Sequence, residues 1–134
     1  MPQARVYFII LNYNGYADTV ECLESLKKLD YDNFKVVVVD NASRGQEGER
    51  LAMEFPEFIH LSNEANLGFA GGNNIGIERA LLDKDCQYLF FLNNDTTIDT
   101  PALSKLVDLA EQSEFQDYGS FQPLMVNYYQ RDLI

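Results

Sequence analysis

Asp95 is the residue in this chain best placed to do chemistry. It closes the segment Tyr88-Leu-Phe-Phe-Leu-Asn-Asn-Asp95, where an apolar run stops on two amides and a carboxylate, followed by the hydroxyls of Thr96 and Thr97. These are hard oxygen donors, the set that suits magnesium or manganese. Magnesium commonly takes one or two protein carboxylates and completes its shell with substrate phosphates, so a single aspartate flanked by Asn93 and Asn94 is sufficient in kind. No Lys or Arg lies between Leu51 and Glu78 or between Asp85 and Ser104. A diphosphate held between those segments would therefore take its counter-charge from a metal. Taken alone, the same residues also suit a polar turn after a strand.

Two further segments carry polar groups at comparable places. Val36-Val-Val-Val39 ends on Asp40-Asn41-Ala-Ser43, and Val6 to Leu11 ends on Asn12-Tyr13-Asn14. A carboxylate such as Asp40 accepts hydrogen bonds from a base edge or a ribose hydroxyl, as acidic residues do in dinucleotide folds. It equally suits the start of a turn. Asn12, Tyr13, Asn14 and Asn41 would supply contacts to the same ligand. The segment Asn66-Leu-Gly68-Phe-Ala-Gly71-Gly72-Asn73-Asn74 reads as a glycine-rich loop before a helix. Glycine permits positive φ and close approach of a ligand, and helix N–H groups favour an anion. The plain alternative is a tight turn and a helix packed close to a sheet. The loop matches neither a dinucleotide nor a P-loop fingerprint.

The elements that must position these groups follow from periodicity. Three short apolar runs separated by helix-length segments read as strands of a parallel sheet buried on both faces. The expected strands are Arg5 to Asn12, Lys35 to Asp40, Phe58 to Leu61 and Tyr88 to Leu92. A helix after Gly15 carries Val20, Leu23, Leu26 and Leu29; another spans Arg44 to Phe55. A third follows the 63–74 loop with Ile77, Ala80 and Leu81 on one face. Thr100 is expected to cap a fourth, with Pro101 in its first turn and Leu103, Leu106, Val107 and Ala110 as its apolar stripe. A last strand is expected within Tyr118 to Val126, weakened by Pro123. The fold class is α/β, a mostly parallel sheet flanked by helices. Each polar group named above then falls at the carboxyl edge of that sheet, where open α/β sheets bind ligands.

Composition narrows the function. The 134 residues form one domain, 46% apolar and 23% charged, with a net charge of −11. That charge excludes nucleic acid as a partner, whose backbone demands basic patches. Apolar runs are too short to cross a bilayer, and no basic segment followed by an apolar one opens the chain. Cys22 and Cys86 lack metal-ligand spacing and are expected to be small core residues. The single His60 is expected to be structural.

In combination the motifs are far more specific. Ile9-Ile-Leu-Asn-Tyr-Asn-Gly15, Val-Val-Asp40-Asn-Ala-Ser43, Asn66-Leu-Gly-Phe-Ala-Gly-Gly-Asn73 and Leu92-Asn-Asn-Asp95-Thr, in this order, resemble the N-terminal half of family 2 glycosyltransferases of the GT-A fold. The likeness is greatest to the rhamnosyltransferase-like branch of bacterial polysaccharide synthesis, and it runs from the first strand to about Val126. The resemblance implies a nucleoside-diphosphate sugar donor (a UDP- or dTDP-sugar) and a saccharide or lipid-linked acceptor. It implies Mg2+ or Mn2+ as cofactor, and a cytoplasmic enzyme at or near the inner face of the membrane.

By motif, Asp40 would recognise the base, and Asn12 to Asn14 with Asn41 would line the nucleoside pocket. Gly68, Gly71 and Asn73 would belong to the loop over the donor. Asn93, Asn94 and Asp95 would take the place of the family's Asp-x-Asp metal motif, with an asparagine for its first aspartate and Asp95 as the metal ligand. The family inverts the anomeric centre in one displacement, using a carboxylate base that lies further along than this chain reaches. The expectation is a donor-binding portion that transfers little sugar alone, and whose incomplete domain exposes apolar surface for self-association. The rivals are a non-catalytic nucleotide-sugar-binding module and a nucleotidyltransferase. The latter would want basic residues after the first strand, where no Lys or Arg occurs until Lys27. A phosphoacceptor receiver would need an acidic cluster there and a late lysine, and it has neither.

Overall fold

The computed structural model describes residues 2–132. Strands β1 (Arg5–Asn12), β2 (Phe34–Asp40), β3 (Ile59–Ser62) and β4 (Cys86–Phe91) form one parallel sheet in the order β3-β2-β1-β4. Helices α1 (Tyr16–Leu26), α2 (Glu47–Glu54), α3 (Gly68–Leu81) and α4 (Ala102–Ala110) flank it, followed by a short 3-10 turn at Ser113–Phe115. Strand alternation divides the core in two. Val6, Phe8 and Ile10 of β1 and Val36 and Val38 of β2 pack with Cys22, Leu23 and Leu26 of α1, Leu51 of α2, and Leu103 and Val107 of α4. Tyr7, Ile9, Val37 and Val39 face the other way, against Ala80 and Ile75 of α3.

This division has a topological cause. The chain steps outward from β1 to β2 to β3 and then returns to the far side of β1 as β4. Right-handed crossovers then put α1 and α2 on one face and α3 on the other. The reversal lies between β1 and β4, and beyond their carboxyl ends such a switch point leaves a crevice.

Helix α3 can lie close on the sheet because it is notched. A Cβ built on Gly72 would fall 2.4 Å from Leu11 Cδ1, and one on Gly76 would fall 2.6 Å from Ile9 Cγ2 and 3.3 Å from Val39 Cγ2. The expected glycine-rich loop is therefore largely helix: α3 starts at Gly68, and Gly71, Gly72 and Asn73 lie in its first turns. Gly68 itself has φ of 74°, a conformation glycine adopts without strain. Leu81, expected on the packed face, is 61% exposed; the buried positions of α3 are Gly72, Asn73, Gly76 and Ala80. Ala80 is buried as expected, while the glycines escaped a reading that counted apolar side chains.

Other expectations need correction. As an edge strand β4 is only half-buried, with Phe91 exposed, rather than covered on both faces. Thr100 does not cap α4. Pro101 occupies the N-cap position without a side-chain hydrogen bond, while the Thr100 carbonyl accepts from Asp30 N at 3.1 Å. α2 begins at Glu47, after Ala42, Gly45 and Gln46 take positive φ and turn the chain. No strand occurs within 118–126; Tyr118 and Phe121 instead gather with Phe115 as a small aromatic group. Cys22 and Cys86 are free, the first buried and the second partly so. His60 Nε2 bonds to the Phe55 carbonyl at 2.7 Å, a structural tie.

The amino edge of the sheet is closed by charge. Asp83 Oδ2 accepts from Tyr7 Oη at 2.7 Å and Arg5 Nη1 at 3.0 Å, with Lys35 Nζ at 3.4 Å, and its Oδ1 accepts from Asp85 N at 3.0 Å. The Tyr7 hydroxyl, the Asp85 amide and Arg5 together hold the Asp83 carboxyl well below the usual carboxylate range. A depressed folded-state pKa adds stability that is present above the unfolded value of about 4 and lost as pH falls below it.

Two outcomes are expected. Asp83→Asn lowers Tm at pH 7, and the gap to wild type narrows progressively as pH is lowered below about 5, read by thermal melts across pH. Gly76→Ala gains helix propensity yet drives a methyl into Ile9, and it should destabilise by about 1–2 kcal/mol net in urea titrations.

Candidate functional site

The carboxyl ends of β1 and β2 are locked together by one amide. Asn12, fully buried, is the register partner of Asp40, which in turn pairs with Ser62 on β3. Asn12 Nδ2 approaches Asp40 Oδ1 at 2.8 Å, Glu47 Oε2 at 3.0 Å and Ser43 Oγ at 3.1 Å. Three acceptors share its two hydrogens. Asn12 Oδ1 accepts from Thr19 Oγ1 at 2.7 Å. Asp40 is 6% exposed, and its Oδ2 accepts from Ser43 N at 3.0 Å. Gly48 lets α2 press onto this carboxylate: a Cβ there would stand 2.8 Å from Asp40 Cβ.

Asn14 takes positive φ, donates its N–H to Ser43 Oγ at 2.9 Å, and accepts from Arg44 N at 2.9 Å through Oδ1. Asn41, buried on the opposite face, organises the entry to α3. Its Oδ1 accepts from Leu67 N at 3.0 Å and Asn63 Nδ2 at 3.1 Å, while its Nδ2 donates to Asn66 Oδ1 at 2.9 Å and Gly68 O at 3.1 Å. Asn66 Oδ1 also accepts from Gly68 N at 2.8 Å. The N–H groups of Leu67 and Gly68 at the helix entry are thus satisfied by asparagine side chains.

The crevice at the switch point is an open cleft of about 300 Å3. It is lined by Leu11, Tyr13, Phe69, Asn73, Phe91, Leu92, Asn93, Asn94 and Asp95. Among the described residues, Asp95 is its one charged lining group. It is exposed and, among the described residues, has neither a hydrogen bond nor an ion pair through its carboxylate. Tyr13, Phe69 and Phe91 stand at its rim, 48%, 68% and 50% exposed as residues. Asn73 Nδ2 donates to the Phe69 carbonyl at 2.8 Å, a bond within the first turns of α3. The turn after β4 is braced by Thr96, whose Oγ1 donates to the Asn93 carbonyl at 2.6 Å.

The expected site residues therefore fall into three groups. Tyr13, Asn73, Asn93, Asn94 and Asp95 share the cleft. Asn12, Asn14, Asp40 and Asn41 form the hydrogen-bonded frame behind it, and Asp40 does not line the cleft. Gly68 and Gly71 shape the start of α3, where a Cβ on Gly71 would meet Leu67 Cβ at 2.8 Å. Sequence reasoning missed Leu11, Phe69, Phe91 and Leu92 as lining residues, and Thr19, Ser43 and Glu47 as partners of the frame. Thr19 had a legible signal: it is a polar residue on the buried stripe that continues with Cys22, Leu23 and Leu26. Glu47 had none, because its role depends on where α2 lands.

As a cation site, the donor set is sparse. Among the described residues no cluster of three or more His, Cys, Asp or Glu could hold a metal. Asp95 supplies one carboxylate with neighbouring amide and hydroxyl oxygens, which fits a hard divalent ion only when a ligand's phosphates complete the shell. Behind this turn Cys22 Sγ contacts the Asn93 carbonyl at 3.8 Å. Burial, reinforced by the Asp95 charge, pushes the Cys22 thiol up to about 12. At pH 8 alkylation of Cys22 in the native protein should be slower than in denaturant by more than about 100-fold, since only the thiolate reacts. Peptide mass spectrometry reads this out.

Among the described residues no helix is long and apolar enough to cross a membrane. In sequence, the chain is 30% identical over 105 residues to an uncharacterised glycosyltransferase of Haemophilus influenzae, covering 78% of this chain and 34% of that protein. It is 24% identical over 114 residues to the galactofuranosyltransferase GlfT2 of Mycobacterium tuberculosis, covering 78% and 17% respectively. The chain thus spans about a third or less of these relatives' length.

In structure, it superposes on S. aureus TarS 1-349 in complex with UDP with a TM-score of 0.71 at 22% identity, covering 90% of this chain and 38% of that one. The mannosyltransferase PcManGT from Pyrobaculum calidifontis, in complex with GDP-Man and Mn2+, gives 0.69 at 21% identity, covering 84% and 34%. These likenesses establish the GT-A fold. The model of the family described as Glycosyl transferase family 2 matches residues 7–122, and the chain belongs to that family.

Proposed function

We propose that this chain is the donor-binding portion of an inverting glycosyltransferase. It would hold a nucleoside-diphosphate sugar across the strand ends and pass the sugar to a saccharide or lipid-linked acceptor. The observation that carries the reading is the cleft at the switch point between β1 and β4, with the unpaired carboxylate of Asp95 in its wall. UDP and GDP-Man in the structural neighbours support the donor class, and Mn2+ in one of them supports a metal.

In this reading Asp95 holds Mg2+ or Mn2+ together with the donor's diphosphate, with Asn93 and Asn94 beside it. The metal, when bound, offsets the charge that develops on the leaving diphosphate. Among the described residues, the lining holds no Lys or Arg to do this. Asp40, with Asn12 to Asn14 and Asn41, would define the nucleoside end, and Gly68, Gly71 and Asn73 would shape the wall from α3. The rings of Tyr13, Phe69 and Phe91 offer flat apolar surface to a base or sugar face. The acceptor base would come from the remainder of a longer protein, consistent with the share of the relatives' length that this chain spans. A cytoplasmic location belongs to the same reading. The rhamnosyltransferase-like resemblance makes dTDP a donor nucleotide to test beside UDP.

Titration calorimetry of UDP and dTDP, each with and without Mn2+, tests the reading. Metal-dependent binding is expected, weakened about 10-fold or more by Asp95→Ala. Metal-dependent affinity that survives Asp95→Ala would remove the carboxylate from the site. Absence of nucleotide binding both in this chain and in the longer protein would sink the donor assignment.

A further inference from the structure

We infer that the Thr19 hydroxyl is a positioning group that ties the turn carrying Asp95 to the frame carrying Asp40, making the two ends of the cleft one mechanical unit. Thr19 is fully buried on α1. Its Oγ1 donates to Asn12 Oδ1 at 2.7 Å and accepts from Asn94 Nδ2 at 3.0 Å. One atom must therefore donate and accept at once, and among side chains of this size only a hydroxyl does so. Threonine's branched Cβ also restricts the rotation that would spoil the geometry.

A second observation points the same way. Gly15 opens the space Asn94 needs, since a Cβ there would stand 2.8 Å from Asn94 Nδ2. Among the described residues, Thr19 is the one hydrogen-bond partner of the Asn94 side chain. From Asn94 the donors run in one direction, through Thr19 to Asn12 and on to the carboxylates of Asp40 and Glu47. Such a chain strengthens each of its members. It also explains why Asn94 has its amide turned to the interior while Asp95, next in sequence, faces solvent. Asn94 anchors the turn so that Asp95 is presented at a set distance from the frame.

The test has a ligand-free arm and a ligand arm, because the second rests on the donor reading above. In the isotope-labelled protein, Thr19→Val should shift the side-chain amide signals of Asn12 and Asn94 together and move the backbone signals of residues 93–96; Thr19→Ser should restore them. Asn94→Ala, which leaves the packing of α1 alone, should shift Asn12 in the same way and serves if Thr19→Val does not fold. Unchanged signals at 93–96 in Thr19→Val, or at Asn12 in Asn94→Ala, would overturn the inference whatever the chain binds.

In calorimetry, Thr19→Val should cut the gain in UDP affinity produced by Mn2+ by about 10-fold. Retention of the full gain would overturn it. A wild-type chain with no UDP affinity would hand the donor reading to the same titration on the longer protein, and the spectroscopic arm would still decide the role of Thr19.

Discussion

A buried amide at the end of β1 is the constraint on which the rest of the molecule depends. Asn12 lies where three strands finish in one register row, and it is closed off from solvent. A buried polar group left without a partner costs about 1–3 kcal/mol, so its surroundings are obliged to supply partners. They come from every direction: Asp40 from β2, Thr19 from α1, Ser43 from the loop after β2 and Glu47 from α2. Glu47 Oε2 reaches further, accepting Gly15 N at 3.0 Å and so fixing the start of α1 as well. Among the described residues no buried side-chain polar atom lacks a partner. The satisfaction of one amide thus fixes the entry angles of two helices and the line of strand ends.

Packing on the other face obeys a different rule. There the sheet presents Leu11, Ile9 and Val39, and α3 meets them with Gly72 and Gly76, so that backbone rests on side chain. Close approach brings the start of α3, with Phe69 and Asn73, to the cleft. The asparagines Asn41 and Asn66 satisfy N–H groups that a helix start leaves open. Glycine and asparagine in this segment therefore do structural work first, and their contribution to the cleft is its shape.

The two ends of the sheet use carboxylates in opposite ways. At the amino end Asp83 is saturated by Tyr7, Arg5, Lys35 and the Asp85 amide, and its charge contributes to stability. At the carboxyl end Asp95 stands exposed beside apolar rings, held by its backbone neighbours and, among the described residues, without a counter-ion. A paired charge is spent on the fold. An unpaired one beside a cleft, in a chain with net charge −11, is free to receive a cation.

The alternation of apolar runs with helical stripes determined the α/β class, the parallel sheet and the placement of Asn12, Asp40 and Asp95 at its carboxyl edge. Strand period and burial impose those patterns locally, so a single chain displays them. The family was likewise legible, because its motifs are contiguous. Tertiary structure alone decided which of those polar residues face the cleft and which vanish into the frame. Asp40 and Asp95 look alike in sequence, each closing an apolar run, yet one is roofed by α2 through Gly48 and the other stands free. The helical start at Gly68, the exposure of β4 and the partners of Thr19 were also beyond local reading. Each depends on how closely two distant segments approach, and that distance is set by the side chains between them rather than by either segment's own composition.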